Sequence, residues 1–155
     1  MRTTLFALSL VLGLSTQAQV IINLAESPNA ELIDSLDNAF STAMNVDPEK
    51  AVMGDRPDAF KKEWAGFLKG FATYLNKNEF HWGKPTRSFV RLYSDEEGNV
   101  QYILYKLFAD SLTEEQRDRF PELLEAYLKE SPIPLAEPAS KRFSQCGPVT
   151  FMDVN

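Results

Sequence analysis

Arg87-Ser-Phe-Val-Arg-Leu-Tyr-Ser-Asp-Glu-Glu-Gly-Asn-Val-Gln-Tyr-Ile-Leu-Tyr-Lys-Leu-Phe108 is the stretch whose reading decides the fold. Both arms are rich in Val, Ile, Leu, Phe and Tyr and alternate partly by twos. Between them, Asp95-Glu96-Glu97-Gly98-Asn99 supplies a glycine for the positive φ of a tight reversal. The pattern predicts a β-hairpin. A three-residue loop, Glu96 to Gly98, pairs Ser94 with Val100, Leu92 with Tyr102 and Val90 with Leu104. Those residues then form one mostly apolar face, and Phe89, Arg91, Tyr93, Ile103 and Tyr105 share the other. A four-residue loop instead sets Leu92 opposite Gln101.

Upstream, Phe60, Trp64, Phe67, Leu68, Phe71 and Leu75 recur at helical spacing and predict an amphipathic helix capped near Asp58 and ended by Asn76-Lys77-Asn78. Gly66 and Gly70 interrupt it four residues apart, which points to close approach of another backbone. Its lysines and Glu63 argue against a membrane-embedded reading of that pair. An earlier helix, opened by Ser27-Pro28 and running to about Met44, carries Leu32, Ile33, Leu36, Ala39, Phe40 and Ala43 along one side. Val20-Ile21-Ile22 is an edge-strand candidate. After the hairpin, Thr113-Glu-Glu-Gln116 has the form of a capping box that opens a third helical region, and Pro121 is expected to divide that region into a short segment and a helix to about Glu130. Lys141 to Val154 reads as a last strand, bulged at Gly147-Pro148.

The fold class expected is therefore α+β: a small antiparallel sheet built on the 87–108 hairpin plus a C-terminal strand, packed by amphipathic helices. Residues 19–57 form a covering helix and loop that complete one globular unit with 58–155.

Residues 1–18 combine Arg2, an apolar run from Leu5 to Leu14 and the small-residue stretch Ser-Thr-Gln-Ala, the pattern of a secretory signal peptide. That predicts a periplasmic or secreted protein beginning at Gln19. The remainder has 137 of the 155 residues and carries 15 basic against 22 acidic side chains, a net charge of about −7. Such a charge opposes binding to nucleic acid or to an anionic membrane surface, and no integral membrane segment is expected in the mature chain. Cys146 is the only cysteine, so no internal disulfide is possible, and its place before Gly147-Pro148 in a strand suggests burial.

The order helix, strand, Asp-x-x-Gly-x-Val turn, strand, helix and final strand resembles the C-terminal domain of TonB-type periplasmic proteins, over about residues 67–151. The segments that carry the resemblance are Phe89 to Val100, the helix after the hairpin, and Gly147-Pro148-Val149-Thr150-Phe151. It implies a domain that meets a partner protein by adding a strand at an exposed sheet edge. The chain has no long Pro-rich spacer and no Tyr-Pro element before the first hairpin strand.

Chemistry offers few alternatives. His81 is the sole histidine, so a nucleophilic site would have to pair Cys146 with His81. A thiol before Gly-Pro in a strand lacks an activating helix N-terminus, and His81 between Phe80 and Trp82 reads as packed. Asp95, Glu96, Glu97 and Asn99 form too short a turn to wrap a cation, so no metal and no cofactor are expected. The second hairpin face is the candidate binding surface: Phe89, Arg91, Tyr93, Ile103 and Tyr105. It competes with the alternative that the N-terminal helix covers it to bury Leu32, Leu36 and Phe40. The leading expectation is a non-catalytic protein-binding or adaptor domain. A thiol-dependent enzyme or hydrolase using Cys146 and His81, and a ligand-binding module with a pocket between helices and sheet, are the rivals.

Overall fold

In the computed structural model, residues 19–27, 29–108 and 112–153 are described; the expected signal peptide, 1–18, and Pro28 lie outside them. The elements run β1 (Val20–Asn23), α1 (Ala30–Ala39), β2 (Ser41–Thr42), a 3-10 turn (Pro48–Lys50), α2 (Pro57–Lys77), β3 (Thr86–Ser94), β4 (Val100–Leu107), α3 (Glu114–Glu130) and β5 (Phe143–Phe151). The protein is α+β, with three helices on a five-stranded sheet ordered β1-β4-β3-β5-β2.

The hairpin forms with the expected turn. Gly98 has φ 91°, and the backbone N–H of Asp95 donates to the Asn99 carbonyl at 3.1 Å. The Asp95 carboxylate accepts from the backbone N–H of Glu97 and of Asn99, so the acidic tip satisfies its own donors. Ser94 pairs with Val100 as expected, but the next pairs are Tyr93 with Tyr102, Leu92 with Ile103 and Val90 with Tyr105. Gln101 is an extra residue in β4, a bulge that shifts every later partner by one. Because strand side chains alternate, one extra residue moves a whole set to the opposite face. This corrects the predicted faces. Ile103 and Tyr105 lie with Val90 and Leu92 in the main core, while Leu104 joins Tyr93 on the other side.

The sheet is mixed, not antiparallel throughout. β3 is antiparallel to both of its neighbours, β4 and β5, as expected of the hairpin and C-terminal strand, but β1 joins β4 in parallel and β2 joins the start of β5 in parallel. Both edge strands lie in the N-terminal part of the chain, which thereby lies across both margins of the hairpin sheet. β5 is regular opposite β3 from Phe143 to Phe151, so Gly147-Pro148 makes no bulge.

α2 and α3 cover one sheet face. Phe60 of α2 meets Phe143 and Phe71 meets Phe151 at the two ends of β5, and Phe120 of α3 sits edge-on to Tyr105 of β4. α3 is continuous through Pro121, not divided there. The proline falls eight residues into a helix that opens with a complete Thr113–Gln116 capping box, and buried Phe120, Leu124, Tyr127 and Leu128 hold both sides of it to the core. α1 covers the other face, packing Leu36 and Phe40 on Tyr93 and Leu104. It is shorter than its periodicity suggests. Asn29 caps it by accepting from the Leu32 N–H at 3.0 Å, and it stops at Ala39, where Ser41 and Thr42 enter the sheet beside Phe143 and Ser144.

The two α2 glycines have different reasons. A Cβ on Gly70 would lie 2.5 Å from the Tyr127 hydroxyl, which donates to the Phe67 carbonyl at 3.0 Å. A side chain, not a backbone, makes the close approach. A Cβ on Gly66 would meet only Pro134, at 3.9 Å. Gly66→Ala should therefore stabilise the fold by about 1 kcal/mol through helix propensity, whereas Gly70→Ala should destabilise it by displacing Tyr127. Thermal melts of the two variants should move in opposite directions.

Candidate functional site: the second sheet face and the free edge of β5

The five residues predicted to form one binding face divide between two environments. Ile103 and Tyr105 are in the core under α2 and α3. Phe89, Arg91 and Tyr93 do share the opposite face, with Cys146 directly across from Arg91 and Pro148 across from Phe89.

α1 occupies the upper part of that face. Tyr93 is fully buried beneath it, its ring edge-on to Phe40, and its hydroxyl donates to Asp37 at 3.0 Å. Arg91 donates to both oxygens of the same carboxylate at 2.5 Å, tying β3 to α1. Arg91 and Tyr93 are thus already engaged by the protein's own helix. The need of α1 to bury Leu32, Leu36 and Phe40 was visible in its sequence and accounts for this covering.

Below α1 the same face is less covered. Phe89 is half-buried, Lys106 and Pro148 are exposed, and Phe108 is 57% exposed with the Lys106 ammonium 5.5 Å from its ring centre. Cys146 is exposed, not buried as the sequence suggested. It belongs to the alternating set Ser144, Cys146, Pro148, Thr150, which points away from the face that buries Phe143 and Phe151.

The margin of β5 beside these residues is open. β2 pairs only with Phe143 and Ser144, and beyond Ser144 no described strand pairs with the outer side of β5. The Ser41 N–H donates to the Arg142 carbonyl and the Ala43 N–H to that of Ser144, so even-numbered residues here turn their backbone groups outward. Strand alternation continues this to Cys146, Pro148 and Thr150. Pro148 thus lies where its missing N–H faces solvent, the placement an edge strand tolerates. Among the outward groups, the Cys146 carbonyl accepts only a long bond, 3.3 Å, from the neighbouring Gln145 amide.

His81 and Cys146 are not brought together. The His81 side chain is 60% exposed and lies 3.9 Å from Asp153, past the end of β5, while Cys146 is mid-strand. Five residues of strand, roughly 16 Å, separate Cys146 from Phe151 alone, far beyond the reach of a nucleophile and its base. The space between helices and sheet is filled by aromatic rings around Phe120, and cavities lined by the described residues lie at the periphery. Among the described residues no three acidic, histidine or cysteine side chains could hold a metal ion, and no helix is long and apolar enough to cross a membrane.

No family model, curated protein or solved structure matches this chain. What the site can do is therefore read from its own geometry.

Burial also sets the behaviour of the tyrosines. Tyr93, Tyr105 and Tyr127 all have pKa values pushed above the ordinary phenol value, chiefly because burial desolvates the phenolate; Tyr105 reaches about 12, with Glu26 adding to the effect. A folded pKa above the unfolded value favours the protonated phenol in the fold. The stability this contributes is complete below about pH 10, the unfolded pKa, and is lost as pH rises from there through about 12. Melting temperature should accordingly fall on raising the pH past 10, and Tyr105→Phe should blunt the fall.

Proposed function

We infer that this is an exported, non-catalytic protein-binding domain that takes an extended segment of its partner as a sixth strand on the outer edge of β5. The observation that carries the reading is the open backbone from Cys146 to Thr150, on the longer of the strands at the sheet's margins: β5 has nine residues, of which β2 covers only Phe143 and Ser144, whereas β1, beside β4 on the other side, has four. Strand addition draws affinity from main-chain hydrogen bonds and specificity from the side chains alongside them. Here the edge offers N–H donors at Cys146 and Thr150 and carbonyls at Cys146, Pro148 and Thr150. Pro148 removes the middle donor, which blunts indiscriminate pairing and leaves a defined donor spacing for a partner to match. Gly147 contributes specificity of another kind: nothing lies within 4 Å of where its Cβ would be, so a partner side chain has room beside it. The order β3, β4, α3, β5 is the one on which the resemblance to TonB-type C-terminal domains rests, and that resemblance implies the same mode of contact.

In the free protein the amides of Cys146 and Thr150 should exchange rapidly with solvent, whereas those of Gln145 and Val149, directed at β3, should be protected. Proteins captured from a periplasmic extract should slow exchange at Cys146 and Thr150. Thr150→Pro removes an outward donor without touching the β3 ladder, so it should abolish capture while preserving the fold. Capture that survives Thr150→Pro, with no new protection on β5, would reject strand addition.

A further inference from the structure

Along β3, the residues on the face that α1 half-covers run Arg87, Phe89, Arg91, Tyr93: a cation followed by an aromatic ring, twice. The upper pair shows how this protein satisfies such a unit. One α1 carboxylate, Asp37, accepts from both the Arg91 guanidinium and the Tyr93 hydroxyl, and Phe40, three residues on, sets its ring edge-on to that of Tyr93. The lower pair repeats the chemistry without a helix above it. Arg87 is exposed and forms no ion pair with a described residue, and Phe89 is half-buried.

Charge and width indicate what fits there. β3, β4 and β5 contain no acidic residue, although the chain as a whole is acidic, and their three cations, Arg87, Arg91 and Lys106, all lie on this face. α1 has the opposite balance, Glu31, Asp34 and Asp37 with no cation. Its carboxylates answer Arg91 alone. Lys106 lies over the ring of exposed Phe108 and, like Arg87, pairs with no described carboxylate. The uncovered stretch crosses β4, β3 and β5, about 10 Å from the first strand to the last, which is the width of one α-helix. Two helices pack on the other face of the sheet and only α1 on this one. An anionic membrane would meet the same cations, but it would also meet the acidic α1 beside them.

We propose that Arg87, Phe89, Lys106 and Phe108 dock an acidic amphipathic helix of a partner protein beside α1, with a carboxylate on Arg87 and an apolar side chain one turn on over Phe89 and Phe108. The surface adjoins the β5 edge but does not depend on strand addition there, because it uses side chains of the sheet face and not the outward backbone of β5.

The sequence of α1 supplies the probe: a peptide of residues 29–42, held helical by a hydrocarbon staple across Ser35 and Ala39, which are exposed in the chain. Titrated into the whole chain and followed by backbone NMR, it should shift Arg87, Phe89, Lys106 and Phe108 saturably, at one peptide per chain. Arg87→Glu should weaken binding by about tenfold or more, the loss expected when a charge-assisted hydrogen bond is removed. Lys62→Glu makes the same charge change on α2 and should leave binding unaltered. Peptides carrying Asp37→Asn or Phe40→Ala should bind more weakly than the parent. The Arg87 side chain is exposed and unpaired with any described carboxylate, so Arg87→Glu should melt as wild type does; Phe108→Ala, beyond the end of β4, is a second variant expected to weaken binding. No saturable binding at millimolar peptide, or binding equally weakened by Lys62→Glu, would overturn the proposal. So would shifts confined to Tyr93 and Leu104, which would mean that the peptide merely replaces α1. Protection of the Cys146 and Thr150 amides without shifts at Phe89 and Phe108 would overturn it while supporting strand addition at β5. Self-association, or binding to phosphatidylglycerol vesicles, that Arg87→Glu abolishes would assign the surface to a second copy or to a membrane and would overturn the assignment to a partner helix.

Discussion

Phe120→Ala is expected to destabilise the fold by about 3–5 kcal/mol, the range for emptying a large aromatic site in a packed core. Phe120 is 1% exposed and sits where five rings converge: Phe71 of α2, Phe80 and Trp82 of the following loop, Tyr105 of β4 and Phe151 of β5, with ring centres 5.2–6.1 Å from its own. No one element can relax into the cavity without pulling on the others, so collapse should recover little of the loss. Trp64 is the contrasting case. It belongs to the helical stripe that the α2 sequence displays, but it is half-buried and stacks on Phe67 alone. Denaturant melts should rank Phe120→Ala as the costlier of the two; the reverse order would mean that α2 rather than α3 closes the core.

The sequence showed the period of α2 clearly because one face of that helix is solvent and the other is core, so Phe60, Phe67, Phe71 and Leu75 stand out against lysines. It showed the turn at Gly98 for a similar reason, since few residues accept a positive φ. It did not show the register of the hairpin. β4 carries apolar residues on both faces, Ile103 and Tyr105 toward α2 and α3 and Tyr102 and Leu104 toward α1, so alternation cannot say which set faces which layer. A bulge at Gln101, with no glycine to mark it, then decides the matter. The short edge strands were similarly faint. Ser41 and Thr42 lie within an apparently continuous helical pattern, and only their pairing with Phe143 and Ser144 reveals them as strand.

The candidate sites were legible to different degrees for the same reason. Gly147-Pro148 in a strand pointed to the C-terminal segment, although the sequence suggested a bulge where the structure has a regular edge. Phe89, Arg91 and Tyr93 were correctly grouped, but which of them stay open depends on where α1 ends.

Gly98→Ala is expected to cost about 2–5 kcal/mol, from two effects that a second glycine separates. At φ 91° any side chain is strained by roughly 1–2 kcal/mol. The second effect is steric. The Ile133 N–H donates to the Gly98 carbonyl at 2.9 Å and the Ala139 N–H to that of Glu96 at 2.7 Å, so the segment after α3 lies directly on the hairpin tip. The same segment is fastened to α2, where the Glu63 carboxylate accepts from the Ala136 N–H and pairs with Arg56, each at 2.8 Å. A Cβ on Gly98 would fall 2.5 Å from the Ile133 carbonyl oxygen, which is backbone and cannot rotate aside; overpacking of this kind adds about 1–3 kcal/mol. Gly83 has the same handedness, φ 70°, but nothing within 4 Å of its Cβ position. Gly83→Ala should therefore show the conformational cost alone, about 1–2 kcal/mol. The difference between the two variants in urea melts then measures how firmly residues 131–139 hold the hairpin to α2. Equal costs would mean that this segment gives way freely and that the turn, not the strap, is what fixes the hairpin in place.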